Sequence, residues 1–249
     1  MSKIISMEEG DMFRILMSSV LGVLMVFMFL SSVSGHDIWV ERQEGKLVVL
    51  YGHADKNKFD PIEPAKIKEV KGFDNNGRDV TVKILQDKNS LSVSPTKGVA
   101  AIALFFDGGF LVKTTDGYKH ISKREAKEYI ESMQSMKFGK SLFSWNRRFA
   151  EPFGMRFELV PLKNPFDVKK GEALPIKVLF EGKPLEGATV RIQGYDGRRS
   201  ELLSNKEGMA NIVIEKGMQI ITARHKVPLK DNPDADTLSL GTAMTFEVK

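Results

Sequence analysis

The feature that most constrains the fold of this 249-residue chain is a succession of short apolar segments separated by turn residues. From Asp37 onward, segments such as Lys46–Tyr51 and Asp79–Leu85 alternate apolar with polar residues or form brief apolar runs. Turn sequences such as Asp74-Asn75-Asn76-Gly77 lie between them. A period of two bounded by such turns is typical of strands. The pattern predicts a mainly β protein.

One segment, residues 122–138, has the pattern of a helix instead. Ser122 and Glu125 form a capping-box sequence, and Gly139 is a typical helix end. The apolar residues between them fall at helical spacing: Ala126, Tyr129, Ile130, Met133 and Met136. We therefore expect one helix over about 122–138. Elsewhere Val99–Phe106 and Phe110–Thr115 flank Asp107-Gly108-Gly109, which predicts a hairpin.

The strand pattern divides at a basic, aromatic connector over residues 140–154. A second set of strands follows, with turns at short intervals, for example Gly182–Ala188. This spacing is typical of an Ig-like, Greek-key sandwich. The prediction is two β-sandwich domains: 36–154, which includes the helix and connector, and a transthyretin-like 155–249.

Residues 1–35 have the layout of a secretory signal peptide. Arg14 precedes an apolar run, Ile15–Leu30, and the small residues Ser31–Gly35 follow. A membrane-spanning helix needs about 20 apolar residues, so an uncleaved anchor is the weaker alternative. We expect cleavage before His36 and a periplasmic protein. Translation from Met1 or from Met12 is compatible with this layout.

Composition excludes several classes of site and partner. Cysteine is absent, which removes thiolate metal sites, disulfides and thiol catalysis. The formal charge of +5 comes from scattered lysines without interleaved aromatic residues, so we expect no nucleic-acid partner. Phosphate-binding loops, nucleophile elbows and His-Glu-x-x-His motifs are also missing, and we expect no enzyme.

The four histidines are the best candidates for chemistry. Cleavage before His36 would leave an α-amine and an imidazole Nδ1 able to chelate one metal ion. His53 and His225 each follow a predicted strand and are the expected additional ligands. The carboxylate of Asp37 or Asp55 could accept a hydrogen bond from an imidazole ligand and so orient its ring. Nitrogen donors suit Ni²⁺, Co²⁺, Cu²⁺ and Zn²⁺.

Several segments in order resemble one known family. They are His36–Val40, Tyr51-Gly52-His53, Thr115–Tyr118, Phe157–Leu162, Pro165-Phe166, Lys170–Glu172, Gly182–Val190, Ala223-Arg224-His225 and Thr245–Val248. Together they are similar to the periplasmic component associated with nickel/cobalt uptake transporters, otherwise described by a domain of unknown function.

The resemblance implies capture of Ni²⁺ or Co²⁺ and delivery to an inner-membrane permease or an outer-membrane receptor. The family's histidines correspond to His36, His53 and His225. One departure is Ala54–Lys58, where the family often has a proline followed by an aromatic residue.

Two other functions remain open from the sequence. An N-terminal histidine on a β-sandwich could hold copper in an oxidative, polysaccharide-cleaving enzyme, which would require an exposed aromatic platform. Trp39 and Trp145 are the tryptophans of the chain. Alternatively, the chain is a structural or adhesive module without metal, which predicts that His36 and His225 lie far apart.

Overall fold

The computed structural model describes residues 35–87 and 90–249. These residues form strands joined by turns and single-turn 3₁₀ helices. The strands are β1 Asp37–Gln43, β2 Lys46–His53, β3 Lys58–Phe59, β4 Ile67–Phe73, β5 Asp79–Val80, β6 Val82–Asp87, β7 Ser90–Pro95, β8 Ala101–Thr114, β9 Gly117–Lys119, β10 Glu131–Leu142, β11 Phe157–Pro161, β12 Ala173–Phe180, β13 Lys183–Pro184, β14 Thr189–Gln193, β15 Arg199–Leu203, β16 Met209–Val213, β17 Gly217–Pro228 and β18 Thr237–Val248. The 3₁₀ helices are Ala54–Lys56, Pro64–Lys66, Lys123–Glu125, Arg147–Ala150 and Pro165–Asp167. The protein is therefore mainly β, as predicted.

The strands form three sheets. The N-sheet has the order β1-β2-β7-β6, with β3 paired to β2. The central sheet has the order β15-β14-β17-β18-β10-β8-β4-β5, with β9 paired to β8. The C-sheet contains β11, β12 and β13, with β16 paired to β12. Neighbouring strands are antiparallel except β10 and β18, which are parallel.

The central sheet is a shared middle layer. One of its faces packs on the N-sheet, where Ile102, Leu104 and Phe106 of β8 meet Ile38 and Val40 of β1. Alternate residues of the same strands point to the other face. There Ala103 and Phe138 belong to the core that also contains Ile176 of the C-sheet. Two sandwiches thus share one sheet.

The predicted helix over 122–138 is wrong. The capping box is present, with Ser122 N donating to the Glu125 side chain, but it caps only the single turn Lys123–Glu125. Residues from Glu131 onward form β10, which pairs with β8 on one side and β18 on the other. Two long ladders of backbone hydrogen bonds outweigh the weak helical propensity of this segment. Ile130, expected on the apolar face, is 63% exposed.

The predicted hairpin is also wrong, because β8 is one continuous strand. The register opposite β10 passes from Ser135↔Gly109 to Met136↔Asp107, so Gly108 is the extra residue of a β-bulge. The glycines therefore bend a strand instead of reversing the chain.

The central sheet also crosses the expected domain boundary at 154/155. It combines β4, β5, β8, β9 and β10 with β14, β15, β17 and β18, and His36–Lys249 forms one compact unit. Residues 1–34 of the predicted signal peptide, with both candidate start sites, lie outside the described residues. Within the described part, no helix has the length and apolar character needed to cross a membrane.

Candidate functional site

The β1–β2 hairpin brings together two of the predicted metal ligands. Asp37 at the start of β1 pairs with Gly52 near the end of β2, so the residues just outside this pair, His36 and His53, are neighbours. Their ring centroids are 4.6 Å apart, with an angle of 46° between the ring planes. The sequence placed His36 at the start of the mature chain and His53 after a strand, and the register of the hairpin makes these two positions adjacent.

Gly52 allows a third element to approach this pair. Its φ is +154°, and a Cβ at this position would lie 2.1 Å from the Lys58 carbonyl oxygen. Only glycine permits such close approach of β3. Asp60, the first residue after β3, donates its N–H to the Tyr51 carbonyl oxygen at 2.8 Å. Its carboxylate Oδ2 lies 2.6 Å from His36 Nε2.

The Tyr51 ring packs against the imidazole of His36. The two rings are stacked, with centroids 4.7 Å apart and planes 19° apart, and Tyr51 also contacts Phe106 at 4.8 Å. Burial, and secondarily the charge of Asp60, raises the pKa of Tyr51 to about 12. The phenol is therefore neutral near pH 7 and acts as a packing surface for the imidazole.

His53 is held in its neutral form. Burial, and next the nearby His36, lowers the pKa of His53 below its usual value. Neutral imidazole is the form that binds metal ions. The environment of His53 therefore reduces the competition between a proton and a metal.

Asp37, predicted to orient an imidazole, forms an ion pair with the central sheet. Its carboxylate is 3% exposed and forms an ion pair with Arg224 of β17. Gln193 Nε2 donates to Asp37 Oδ2 at 3.2 Å, and Arg224 Nη2 donates to the His36 carbonyl oxygen at 3.4 Å. Asp37 thus anchors the start of β1 to the central sheet through side chains from β14 and β17.

A buried lysine lies beside this ion pair. Lys137 of β10 is 4% exposed, and burial, followed by the charge of Arg224, lowers the pKa of Lys137 to about 7. Gly241 of β18 lies between the two cationic side chains. A Cβ there would be 2.4 Å from Arg224 Nη1 and 2.9 Å from Lys137 Cδ. The missing side chain of Gly241 makes the space that both occupy.

His225 is not part of this cluster. Arg224 and His225 are consecutive in β17 and so project to opposite faces of the central sheet. Arg224 faces His36, whereas the His225 ring lies 5.1 Å from Phe180 and 6.2 Å from Phe157. Burial lowers the pKa of His225.

Asp55 forms an ion pair with Arg199 of β15. It lies in the turn after His53, and its Oδ2 is 3.9 Å from Arg199 Nη1. Sequence reasoning missed Asp60, Tyr51, Arg224 and Lys137. No sequence signal distinguished Arg224 or Lys137, because each lies in a strand that contains other polar and charged residues.

The side chains alone do not complete a metal site. Among residues 35–87 and 90–249, no group of three His, Cys, Asp or Glu side chains could hold a metal ion. The cluster offers two imidazoles, with the Asp60 carboxylate hydrogen-bonded to one of them. A metal bound here needs at least one donor from outside this set, such as a main-chain amine.

Comparison with known proteins gives a family but no activity. An uncharacterized protein of Haemophilus influenzae is 24% identical over 223 residues, which cover 88% of this chain and 93% of that protein. No solved structure matches the chain. The family model described as Domain of unknown function (DUF4198) matches residues 33–227. Because this match covers most of the sequence, including His36, His53 and His225, the chain belongs to the DUF4198 family.

Proposed function

We propose that this protein is an exported, non-enzymatic binding protein that captures a transition-metal ion, Ni²⁺ or Co²⁺, for a metal uptake system in the periplasm. The observation that carries the proposal is the pair of imidazoles of His36 and His53, 4.6 Å apart, with Asp60 hydrogen-bonded to His36. The metal is cargo, passed on to an inner-membrane permease or an outer-membrane receptor.

The hydrogen bond to Asp60 favours one mode of binding by His36. It engages Nε2, so the tautomer with the proton on Nε2 leaves the Nδ1 lone pair for a metal. Nδ1 and the α-amine of the same residue can close a chelate ring once the chain begins at His36. The amine has an ordinary pKa of about 7.7–8.0, so a metal can displace its proton near neutral pH.

The spacing of the rings suits two ligands of one ion. With metal–nitrogen bonds of about 2.1 Å, two imidazoles in adjacent positions, at about 90°, have centroids roughly 4.5 Å apart. The distance between the His36 and His53 rings is 4.6 Å. Together with the amine, this gives three neutral nitrogen donors, which suit Ni²⁺, Co²⁺, Cu²⁺ and Zn²⁺ better than Ca²⁺ or Mg²⁺. The choice of Ni²⁺ or Co²⁺ within that group rests on the family resemblance.

The copper enzyme is the second candidate, because the same nitrogen donors would suit Cu²⁺. It needs a flat aromatic face beside the metal for a polymeric substrate. Trp39, the tryptophan nearest His36 in sequence, is 0% exposed and cannot form such a face. This observation favours binding over oxidation.

The test is a titration of two forms that differ only in the amine. One form begins at His36, verified by mass spectrometry, and the other carries one additional glycine before His36. Calorimetry with Ni²⁺, Co²⁺, Cu²⁺ and Zn²⁺ should show one ion bound per chain in the first form and binding at least 100-fold weaker in the second, because the chelate ring is lost. Equal binding by both forms would exclude the amine, and absence of binding by both would leave the structural-module alternative.

A further inference from the structure

Lys137 is a buried amine in register with Arg224. Lys137 of β10 is paired with Gly241 of β18, and Gly241 is paired in turn with Arg224 of β17. The three residues therefore form one row across the central sheet and share one face of it. The position of the missing Gly241 Cβ is 2.4 Å from Arg224 Nη1 and 3.2 Å from Lys137 Nζ. These two nitrogens therefore lie within about 6 Å of each other, a distance at which two cations repel.

One carboxylate lies beside these two basic groups. Asp37 forms its ion pair with Arg224 and accepts a hydrogen bond from Gln193 Nε2. Lys137 is 4% exposed, and in the part of the chain that the structure describes its amine forms no ion pair and no hydrogen bond. A buried charge is costly without a counter-ion of its own. The row therefore favours the neutral form of Lys137.

The other titratable groups on this side of the sheet leave Arg224 and Asp37 as the charges that act on Lys137. Those other groups are His36, Tyr51, His53, Asp60, Glu131 and Lys226. Asp60 is hydrogen-bonded to His36, and Lys226 to Glu131. Burial, followed by the charge of Arg224, lowers the pKa of Lys137 to about 7, and the charge of Asp37 opposes this shift. The amine therefore gains a proton close to neutral pH.

The start of β1 is attached to the same row. Arg224 Nη2 donates to the His36 carbonyl oxygen at 3.4 Å, and the Asp37 carboxylate is paired with Arg224. A proton on Lys137 places a second cation beside Arg224 and makes Lys137 a competitor for the Asp37 carboxylate. Protonation of Lys137 therefore weakens the contacts that attach β1 to β17.

We propose that Lys137 is a proton-sensitive switch, whose neutral form keeps the start of β1 attached to the central sheet and whose protonated form loosens it. The residues that define the switch are Lys137, Arg224, Asp37 and Gly241, and none of them is a proposed metal ligand. The switch is a property of the metal-free protein, so it can be tested whether or not a metal binds.

Trp39 is the reporter of this loosening. It lies two residues after Asp37 in β1, is 0% exposed, and packs with Leu50 and Ile220. Trp145→Phe removes the other tryptophan of the chain. The protein used is the metal-free chain from His36 onward, which forms one compact unit. In this background, quenching of Trp39 fluorescence by acrylamide should increase at least 2-fold between pH 8 and pH 6.

Two substitutions of Lys137 separate its charge from its packing. Lys137→Met keeps a long side chain that is neutral at every pH, so quenching should stay low and change less than 1.3-fold over this range. Lys137→Arg is charged throughout and should show the high quenching already at pH 8. Lys206→Met, at an exposed lysine, is the matched control and should respond to pH as the native lysine does. Circular dichroism at each pH verifies that every variant is folded.

Nuclear magnetic resonance measures the proton on Lys137 itself. With ¹³C at the lysine ε-carbon, the signal that disappears in Lys137→Met should titrate near pH 7, far below the ordinary lysine value of about 10.4. Three results would each overturn the proposal: titration of that signal above pH 9, quenching of Trp39 that does not change between pH 8 and pH 6, or an equal increase of quenching in Lys137→Met. The titrations of His36 and His53 are common to all these proteins, so an equal increase would assign the effect to them.

Discussion

The two faces of the central sheet surround their histidines with opposite chemistry. On the N-sheet side, His36 contacts His53, the Tyr51 ring and the Asp60 carboxylate. On the C-sheet side, His225 contacts the rings of Phe157 and Phe180. Burial lowers the pKa of both His53 and His225, so a neutral imidazole is common to the two faces. The two environments differ because, among these contacts, only His36 has a second nitrogen donor, His53, and a carboxylate that can orient it, Asp60.

The same face also carries a buried ion pair beside His36. Asp37, Arg224 and Lys137 lie together beside the start of β1, joined by the ion pair of Asp37 with Arg224. Burying a charge is costly unless it is paired, so buried Arg224 is tolerated only while Asp37 is present. The position of His36 therefore depends on electrostatics, whereas that of His225 depends on apolar packing.

The largest effect should follow from removing the carboxylate of Asp37. Asp37→Ala leaves Arg224 beside Lys137 without its counter-charge, which should lower the free energy of unfolding by about 3–5 kcal/mol. On the other face, His225→Ala should cost only about 1–2 kcal/mol, the ordinary cost of a lost packing contact. Urea unfolding at pH 7 measures both. A smaller loss for Asp37→Ala than for His225→Ala would contradict the electrostatic account of the first face.

The sequence contained enough information for the fold class and for half of the site. Period-two segments predicted a β protein, and His36 and His53 were predicted as ligands of one metal ion, which requires the proximity that the hairpin provides. The sequence did not reveal that β10 is a strand. The capping box Ser122–Glu125 is a local pattern, whereas β10 is formed by pairing with β8 and β18, which are distant in sequence. Local patterns predict local structure, and a central strand is determined by its neighbours.

The remaining half of the site depends on register and face. Asp60 reaches His36 only because β3 crosses Gly52, and no spacing in the sequence indicates that contact. Arg224 and His225 illustrate the same limit, since one strand position decides which face each residue occupies. A shift of register by one residue would exchange them.

The next effect compares the two faces as metal sites. In the form that begins at His36, His36→Ala should weaken Ni²⁺ binding at least 100-fold, equivalent to about 2.7 kcal/mol, because two donors of the chelate ring are affected. His225→Ala should change it less than 2-fold. Calorimetric titration measures both variants. Comparable losses in the two would mean that His225 contributes to metal binding despite its position.

Asp60 should contribute a smaller share of affinity. Asp60→Asn keeps the size of the side chain but removes the charge that accepts the His36 Nε2–H, so Ni²⁺ binding should weaken about 10-fold. The matched control is Asp116→Asn, an exposed turn residue whose substitution should have no effect on the titration. If Asp60→Asn binds as tightly as the original protein, the hydrogen bond seen in the structure does not orient the ligand.

The smallest effect concerns the proton affinity of His225. Burial lowers its pKa in the folded protein, whereas the unfolded chain has a value of about 6.5. As pH falls through 6.5, the unfolded state takes up more protons at this residue than the folded state does, so stability decreases. The decrease ends below the folded pKa, where both states are protonated.

His225→Phe removes this contribution and should reduce the loss of melting temperature between pH 8 and pH 5 by about 1 °C. Thermal unfolding followed by circular dichroism at both pH values measures the difference, and His53 retains its own contribution in both proteins. An unchanged loss in His225→Phe would mean that the phenyl rings do not disfavour the charged imidazole. Unchanged Ni²⁺ affinity in the same variant would show that the apolar face can be altered without affecting the face that carries His36.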